Sequence, residues 1–260
     1  MSLDAIIKDL ERDPLRNIVL LKHLEAFPGR TRAHRVADEH GSATLVLFDV
    51  AGGAYDRRTY PTASFAALVS SESPALTLRL MRHVPPHVGV VFKLASDADR
   101  DAVASVFKVR RTTSVLSYTS TTRFEGDAGV GVTRRPGDGA FAMFEAQGHA
   151  RTWLEPLLDA DRAFACVLEE AGQPAAACFA FENYQRVWEI GGVVTLPEFR
   201  RRGLAARVVR TAVAELASHG AVPRYQVEEA NAPSIRLARS IGLELFLTVT
   251  HFLRSPDVGH

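Results

Sequence analysis

The chain has 260 residues, 47% of them apolar and 23% charged, with Lys+Arg 31 against Asp+Glu 30. That balance suits one large globular domain or two small ones and excludes a disordered or collagen-like chain. A formal charge of +1 offers no basic field for nucleic acid or a membrane surface, and no apolar run reaches the roughly 18–20 residues of a membrane span. The N-terminus, Met1-Ser2-Leu3-Asp4-Ala5 with Lys8, Asp9 and Glu11 behind it, has no apolar signal region. Two cysteines make neither a disulfide framework nor a four-cysteine zinc site. The expectation is a reduced, soluble, cytoplasmic protein with no nucleic-acid or membrane partner.

In chain order, Ile6, Ile7 and Leu10, then Ile18, Leu20, Leu21 and Leu24, predict two short helices broken near Pro14 and stopped by Pro28-Gly29. Ala43 to Val50 predicts a strand ended by Gly52-Gly53. Ser64 to Val69 and Leu76 to Met81 read as helices, and Val88 to Leu94 as a buried strand. Ser96, with Asp97 and Asp99 in the first turn, opens a helix that runs to Phe107. Thr112 to Thr119 alternates as a strand, and a glycine-rich stretch then sets a domain boundary near residue 125.

The second half begins with a strand, Val130 to Arg134, and a helical stretch, Phe141 to Leu158, interrupted at Gly148. Arg162 to Glu169 and Pro174 to Glu182 form a hairpin around Ala171-Gly172, which sets Cys166 opposite Cys178 to within one residue. A strand from Val187 to Val194 follows. Leu204, Val208, Ala212, Val213 and Leu216 share a helical face that Gly220 terminates. Arg224 to Glu228 is a strand, Ser234 to Ser240 a helix ended by Gly242, and Leu243 to Phe252 a last strand or strand pair. Strands alternating with helices after a hairpin predict a mixed α/β sheet.

Chemistry concentrates between Val193 and Arg210. A strand ends at Val194-Thr195, a short loop follows, and Arg200-Arg201-Arg202-Gly203-Leu204-Ala205 opens a helix. Free amides at a helix N-terminus point at an anion, and the dipole favours negative charge there. Gly203 and Ala205 leave room for phosphate oxygens, and the arginines add charge-assisted bonds. The alternative is a solvated helix start, but a basic cluster there opposes the dipole unless an anion is bound.

Arg200, Gly203 and Ala205 in this context resemble the acyl-CoA pyrophosphate signature of the GNAT superfamily of N-acyltransferases. Asn231-Ala232-Pro233-Ser234 with Ile241-Gly242-Leu243 is similar to that superfamily's second motif. Glu189 to Arg200 looks closest to the glycine-N-acyltransferase-like branch, which carries two related domains. The resemblance implies an α/β fold: a catalytic GNAT domain with a splayed central sheet over residues 126–260, after a smaller GNAT-like α/β domain over residues 1–125 that lacks a CoA site. It implies acetyl-CoA as co-substrate, no metal, and direct attack of a small-molecule primary amine on the thioester. Backbone groups of Val193 and Val194 would bond the pantetheine arm and the amides of Arg201 to Ala205 the pyrophosphate. Thr195, Arg200, Arg202, Leu204, Asn231 and Ser234 complete the implied binding set, and Glu189 falls at the position of the catalytic base. Where many members carry a tyrosine as thiolate donor, this chain has Ala238; Tyr225, Ser234, water or no donor at all remain open.

Other residues carry two readings each. His83 and His87 flank Val84-Pro85-Pro86, have no third ligand in sequence and read as structural. His149 stands where the resemblance places substrate loops, and could equally be structural. Phe179, Phe181, Tyr184 and Trp188 are either an acceptor pocket or sheet core. Glu228-Glu229 either orients a cationic acceptor or is solvated. A non-catalytic acyl-CoA sensor is the competing function, with Ala238 as its support. An aminoacyl-tRNA-dependent transferase is disfavoured by the near-neutral charge. The N-terminal domain is left to packing, to shaping the acceptor site or to forming a homodimer.

Overall fold

Ser2 accepts the amide of Ala5 through its hydroxyl, and this cap opens α1 (Leu3–Leu10), whose Ile6 and Leu10 are buried. The protein is described here by a computed structural model covering residues 2–39 and 41–256. After α1 come α2 (Ile18–Ala26), β1 (Thr31–Asp38), β2 (Gly41–Asp49), α3 (Ala54–Thr59), β3 (Phe65–Ser71), α4 (Pro74–Leu80), β4 (Val90–Leu94), α5 (Asp97–Ala104) and β5 (Arg110–Thr119). The remaining elements are β6 (Val130–Thr133), α6 (Asp138–Ala146), α7 (Arg151–Asp159), β7 (Ala163–Glu170), β8 (Gln173–Tyr184), β9 (Val187–Thr195), α8 (Leu204–Ser218), β10 (Val222–Glu228), α9 (Ala232–Ser240) and β11 (Glu244–Arg254). This is a mixed α/β fold.

Two compact units divide the chain. The first gathers residues up to Leu116 with the C-terminal stretch from Leu247; the second runs from Ser117 to Phe246. The division near residue 125 expected from the glycines differs from this grouping at both ends. Asp127 accepts two guanidinium N–H bonds from Arg207 on α8, at 2.6 and 2.9 Å, and its own amide bonds the Thr211 hydroxyl. Those bonds hold the Asp127 carboxyl down to about 2 and place the glycine-rich stretch inside the second unit. At the other end, β11 pairs antiparallel with β4 from Thr250↔Leu94 to Arg254↔Val90, so the C-terminal strand completes the first unit.

The first unit's strands follow the order β1-β2-β3-β4-β11-β5. Two elements depart from the sequence reading. Ser64 to Val69 is not a helix but most of β3, because Ala66, Ala67, Leu68 and Val69 are all buried and a strand covered on both faces loses its alternation. β1 was not anticipated: of its residues only Val36 is buried, as befits a charged edge strand that pairs with β2 from Thr31↔Phe48 to Asp38↔Gly41.

In the second unit the order is β5-β10-β9-β8-β7-β6. Ala171 and Gly172 both take positive φ, 51° and 78°, as a two-residue hairpin turn matched to strand twist requires. The hairpin sets Cys166 opposite Cys178, both buried free thiols, and the bond to Cys166 together with burial pushes the Cys178 thiol up. α8 buries Leu204, Val208, Val213 and Leu216, each worth about 1.5–3 kcal/mol relative to exposure. On the α6–α7 side, Phe141, Phe144, Leu154, Leu158 and Phe179 form the core.

Candidate active site

β9 and β10 run parallel but pair only from Val222↔Val187 to Tyr225↔Ile190. Beyond Ile190 and Tyr225 the two strands part and leave a slot. The cause lies on β9's other edge. Ala177 of β8 opposes Val194 and Phe179 opposes Gly191, so Cys178 alone faces Gly192 and Val193. This is a β-bulge, and a bulge bends its strand and raises its twist. Gly192 sits there at φ +60°, where a Cβ would stand 2.2 Å from Phe179 Cε1. Only glycine fits both the backbone and the space. Val193, Val194 and Thr195 lie past the bulge, along the open edge of the slot.

At the slot's end the chain passes through a short 3₁₀ turn, Pro197–Phe199, into α8. Arg201 takes φ 63° and Gly203 φ 76°. A left-handed residue two positions before another curls the backbone so that consecutive amides converge, a shape that binds anions. Among the described residues no acceptor takes the amides of Arg201, Arg202, Gly203, Leu204 or Ala205. A Cβ on Gly203 would meet nothing within 4 Å, so the concavity is open. No acidic residue stands in the first turn of α8. Arg200 donates to the Thr195 carbonyl at 3.2 Å, and Arg202 lies over the Phe199 ring and reaches Glu170 at 3.2 Å. A non-glycine residue held at positive φ beside five uncommitted amides fits a pyrophosphate.

Around the point where the strands part, register decides which side chains share a face. Glu189 opposes Phe181 on β8 and Arg224 on β10. Its Oε2 accepts from Arg224 Nη1 and from Asn183 Nδ2, both at 2.6 Å. Arg224 is 1% exposed and also donates to Ser117. Burial pulls its guanidinium below the ordinary value, and Glu189 opposes that shift. On this face His149 meets Phe179 edge-on at 4.9 Å, while Trp153 stands 5.9 Å from Phe179 and 5.1 Å from Phe181. His149 is lowered by burial, with the Glu189 charge acting against it.

The opposite face carries Tyr225, whose hydroxyl shares a 2.5 Å hydrogen bond with Ser234 on α9. Burial raises the Tyr225 phenol. The Asn231 side chain caps α9 by accepting the Ser234 amide at 3.1 Å. Ala238 is fully buried. Thr195 Oγ1, Gln226 Oε1 and Asn183 Oδ1 are buried without a hydrogen-bond partner. Thr195 and Gln226 both belong to strand segments past the last β9–β10 pair, where an amide-bearing ligand arm would answer them.

The structure therefore places Glu189 and Val193 to Thr195 along β9, Arg200 to Ala205 in the turn that leaves it, and Asn231 and Ser234 at the start of α9 beyond the end of β10. Of the four aromatics singled out in sequence, Phe179 and Phe181 stand together, whereas Trp188 packs on Phe164 at 6.0 Å and Tyr184 is buried. Glu228 turns the chain into α9 by accepting the Asn231 amide through its carbonyl. Sequence reasoning missed Arg224, Asn183 and Trp153, whose neighbours only strand register and helix packing supply. His83 stacks on His34 at 4.1 Å; among the described residues no three His, Cys, Asp or Glu side chains gather as metal ligands. Among them, too, no helix is long and apolar enough to cross a membrane.

Residues 138–243 match the Acetyltransferase (GNAT) family. A GCN5-related N-acetyltransferase from Sphaerobacter thermophilus shares the fold with 17% identity and a TM-score of 0.58, covering 93% of this chain and 86% of that one. A GNAT-family acetyltransferase from Colwellia psychrerythraea gives 13% identity, a TM-score of 0.59 and coverage of 94% and 97%. A tandem GNAT protein from the clavulanic acid biosynthesis pathway gives 13% identity, a TM-score of 0.50 and coverage of 94% and 89%. The comparison with curated protein sequences gives no match. The parting of the strands, the turn with uncommitted amides and the match to the Acetyltransferase (GNAT) family coincide on residues 138–243.

Proposed function

We propose that the second unit transfers an acetyl or other small acyl group from acyl-CoA to a primary amine by direct attack on the thioester. The observation that carries this reading is the turn from Arg201 to Ala205, with its five uncommitted amides, at the end of a strand bent out of its sheet. In it the amides of Arg201 to Ala205 hold the pyrophosphate and the side chains of Arg200, Arg201 and Arg202 supply positive charge. Backbone groups of Val193 and Val194, with the Thr195 hydroxyl, hold the pantetheine arm as an added strand. Asn231 acts by fixing the N-terminus of α9, which positions Ser234.

The departing sulfur needs a proton. Tyr225 and Ser234, hydrogen-bonded to each other next to the parting of the strands, are the donors in this proposal. Glu189 holds a negative charge at the slot and attracts the ammonium group of the acceptor. Glu189 is the counter-charge of the buried Arg224 guanidinium and accepts from both Arg224 and Asn183. That supports an electrostatic role for Glu189 over the base role its position suggests. Kinship with the two-domain glycine-N-acyltransferase-like branch rests on the run from Glu189 to Arg200 and on the two units.

Calorimetric titration of the full chain with acetyl-CoA, paired with a thiol-release assay over a panel of primary amines, tests the reading. One equivalent bound per chain, with thiol released only when an amine is present, is the expected result. Absence of binding overturns the cradle, and binding without release for any amine makes the protein a sensor.

A further inference from the structure

We infer that the acceptor of this reaction is a primary amine on an aromatic or other planar apolar body, held against Phe181 and Trp153 over the buried Phe179 ring, and that His149 takes its proton. The inference rests on the acyl-transfer reading above.

The face is fixed by register. Phe181 and Arg224 are the lateral partners of Glu189, so all three side chains leave the sheet on the α6–α7 side. The other side is closed by α8, where the Cys178 thiol reaches the Val208 carbonyl at 3.5 Å. On the α6–α7 side Trp153 meets Phe179 and Phe181 edge to face, those two rings are tilted to each other, and Trp153 remains 43% exposed. Rings so arranged favour another planar ring, and their faces favour a cation. An amino-acid acceptor needs a cation for its carboxylate; Arg224 donates through its two terminal nitrogens to Glu189 and Ser117, and its Nε, without a partner among the described residues, lies in a residue only 1% exposed. A polyamine needs several free carboxylates, whereas Glu189 is held by Arg224, and Asp138 and Glu155 by Arg151.

His149 is the remaining group able to move a proton there. It lies in the connection from α6 to α7, and among the described residues neither ring nitrogen has a hydrogen-bond partner. The charge that acts on it is Glu189 on β9, itself paired with Arg224 on β10, and Glu145 on α6 and Arg151 on α7 flank it in sequence. Glu145 accepts the Arg151 amide, and the Arg151 guanidinium is held by Asp138 at 2.8 Å and Glu155 at 3.1 Å. Burial favours the neutral imidazole, which is the form able to accept a proton, and the Glu189 charge then steadies the imidazolium.

The step balances as follows. The ammonium gives one proton to His149, which passes it to water. The nitrogen lone pair attacks the thioester carbonyl carbon, and a C–N bond forms. The C–S bond breaks with its electron pair leaving on sulfur. Nitrogen sheds its second proton to His149, which again releases it to water, and sulfur takes one from the Tyr225–Ser234 pair, which is restored from solvent. The net products are an amide, a thiol and one proton.

The test uses the full chain, acetyl-CoA and three probes: 2-phenylethylamine, glycine and spermidine. The parent should favour 2-phenylethylamine by about tenfold or more in kcat/KM, the scale of an apolar-pocket preference. His149→Gln should keep CoA affinity and lower kcat at pH 7 by roughly 10²–10⁴-fold. Its deficit should shrink as pH climbs toward about 10, where the free amine is already deprotonated. Trp153→Ala, at an exposed position, should raise KM for 2-phenylethylamine alone and carries the test should His149→Gln misfold. Parental kcat and pH profile in His149→Gln, or a parent that prefers glycine or spermidine, overturns the inference. CoA binding with no thiol release for any amine overturns the acyl-transfer reading itself, and the inference with it.

Discussion

Each unit contains a strand that pairs in parallel with its neighbour, leaves it and turns into a helix, yet the two turns are built oppositely. In the second unit β9 bulges at Gly192 and runs through Arg201 and Gly203, both at positive φ, into a 15-residue helix with open amides. In the first, β3 keeps unbroken register with β2 through Ser71, and α4 starts three residues later with Pro74. There the Glu72 amide bonds the Ser42 carbonyl, the Ser73 amide bonds the Ser71 hydroxyl, and Pro74 has no N–H. Leu76 and Thr77 both donate to the Ser73 carbonyl. Among the described residues Ala75 alone keeps a free amide in that first turn, with the Glu72 carboxylate nearby on the Ser42 amide. The same topology becomes a turn with open amides or a closed one according to a bulge, a few backbone angles and the sign of the flanking charge.

A second contrast concerns the cation that each unit buries where its strands part. Lys93, on the last β4 residue paired with β3, is answered by Asp56 from α3 at 2.8 Å. Arg224 is answered by Glu189 from the neighbouring strand, which puts the counter-charge on the slot. Removing one partner of a buried pair leaves an uncompensated charge, at about 3–5 kcal/mol. Asp56→Ala and Glu189→Ala should each lose stability on that scale in urea titration, but only Glu189→Ala should also weaken amine saturation. A Glu189→Ala protein as stable as the parent would break the comparison, because Arg224 would then need no carboxylate.

The units also differ in how acid reaches them. In the first, Tyr60 bonds His251 at 2.7 Å, and burial with the nearby Lys93 charge holds His251 down to about 3. The unfolded chain takes up this proton near pH 6.5, so stability is lost as pH falls below that value and goes on falling toward pH 3. The slope is about 1.4 kcal/mol per pH unit, or ~2 kcal/mol by pH 5. Denaturation of the parent and of His251→Asn at pH 7 and pH 5 reads the term directly. Equal pH dependence in both proteins would show that His251 titrates normally.

Much of the second unit was legible because its signals are contiguous in sequence. The Ala171-Gly172 hairpin and the Arg200 to Ala205 turn each lie within a few residues, so local pattern located them, and Asn231 stood out through its resemblance to the second motif. Pairings across the chain stayed hidden. Glu189 meets Arg224 only through parallel register, and β11 joins β4 only through antiparallel register more than 150 residues away in sequence. β3 was mistaken for a helix because burial on both faces erases the two-residue period. Ser96 and the acids after it open α5, whereas the first unit's counterpart of the cradle is the turn from Ser71 to Pro74. The side chain of Ser96 is in fact spent capping α5 through the Asp99 amide.

The narrowest test of the contrast between the turns is one residue. Gly203 takes φ 76° with open space where a Cβ would stand. Gly203→Val therefore meets no protein atom; it adds backbone strain of about 1–2 kcal/mol and places a branched side chain in the mouth of the concavity. One charge-assisted bond lost there is worth about 1.5–3 kcal/mol, so CoA affinity should fall about tenfold or more by calorimetry. Ser73→Val, at the closed turn of the first unit, should leave CoA affinity unchanged, since no ligand amide is presented there. If both substitutions weaken CoA equally, the loss reports general destabilisation and the two turns are not functionally distinct. If neither does, the pyrophosphate is held elsewhere, and the positive φ of Arg201 is strain with no ligand to answer it.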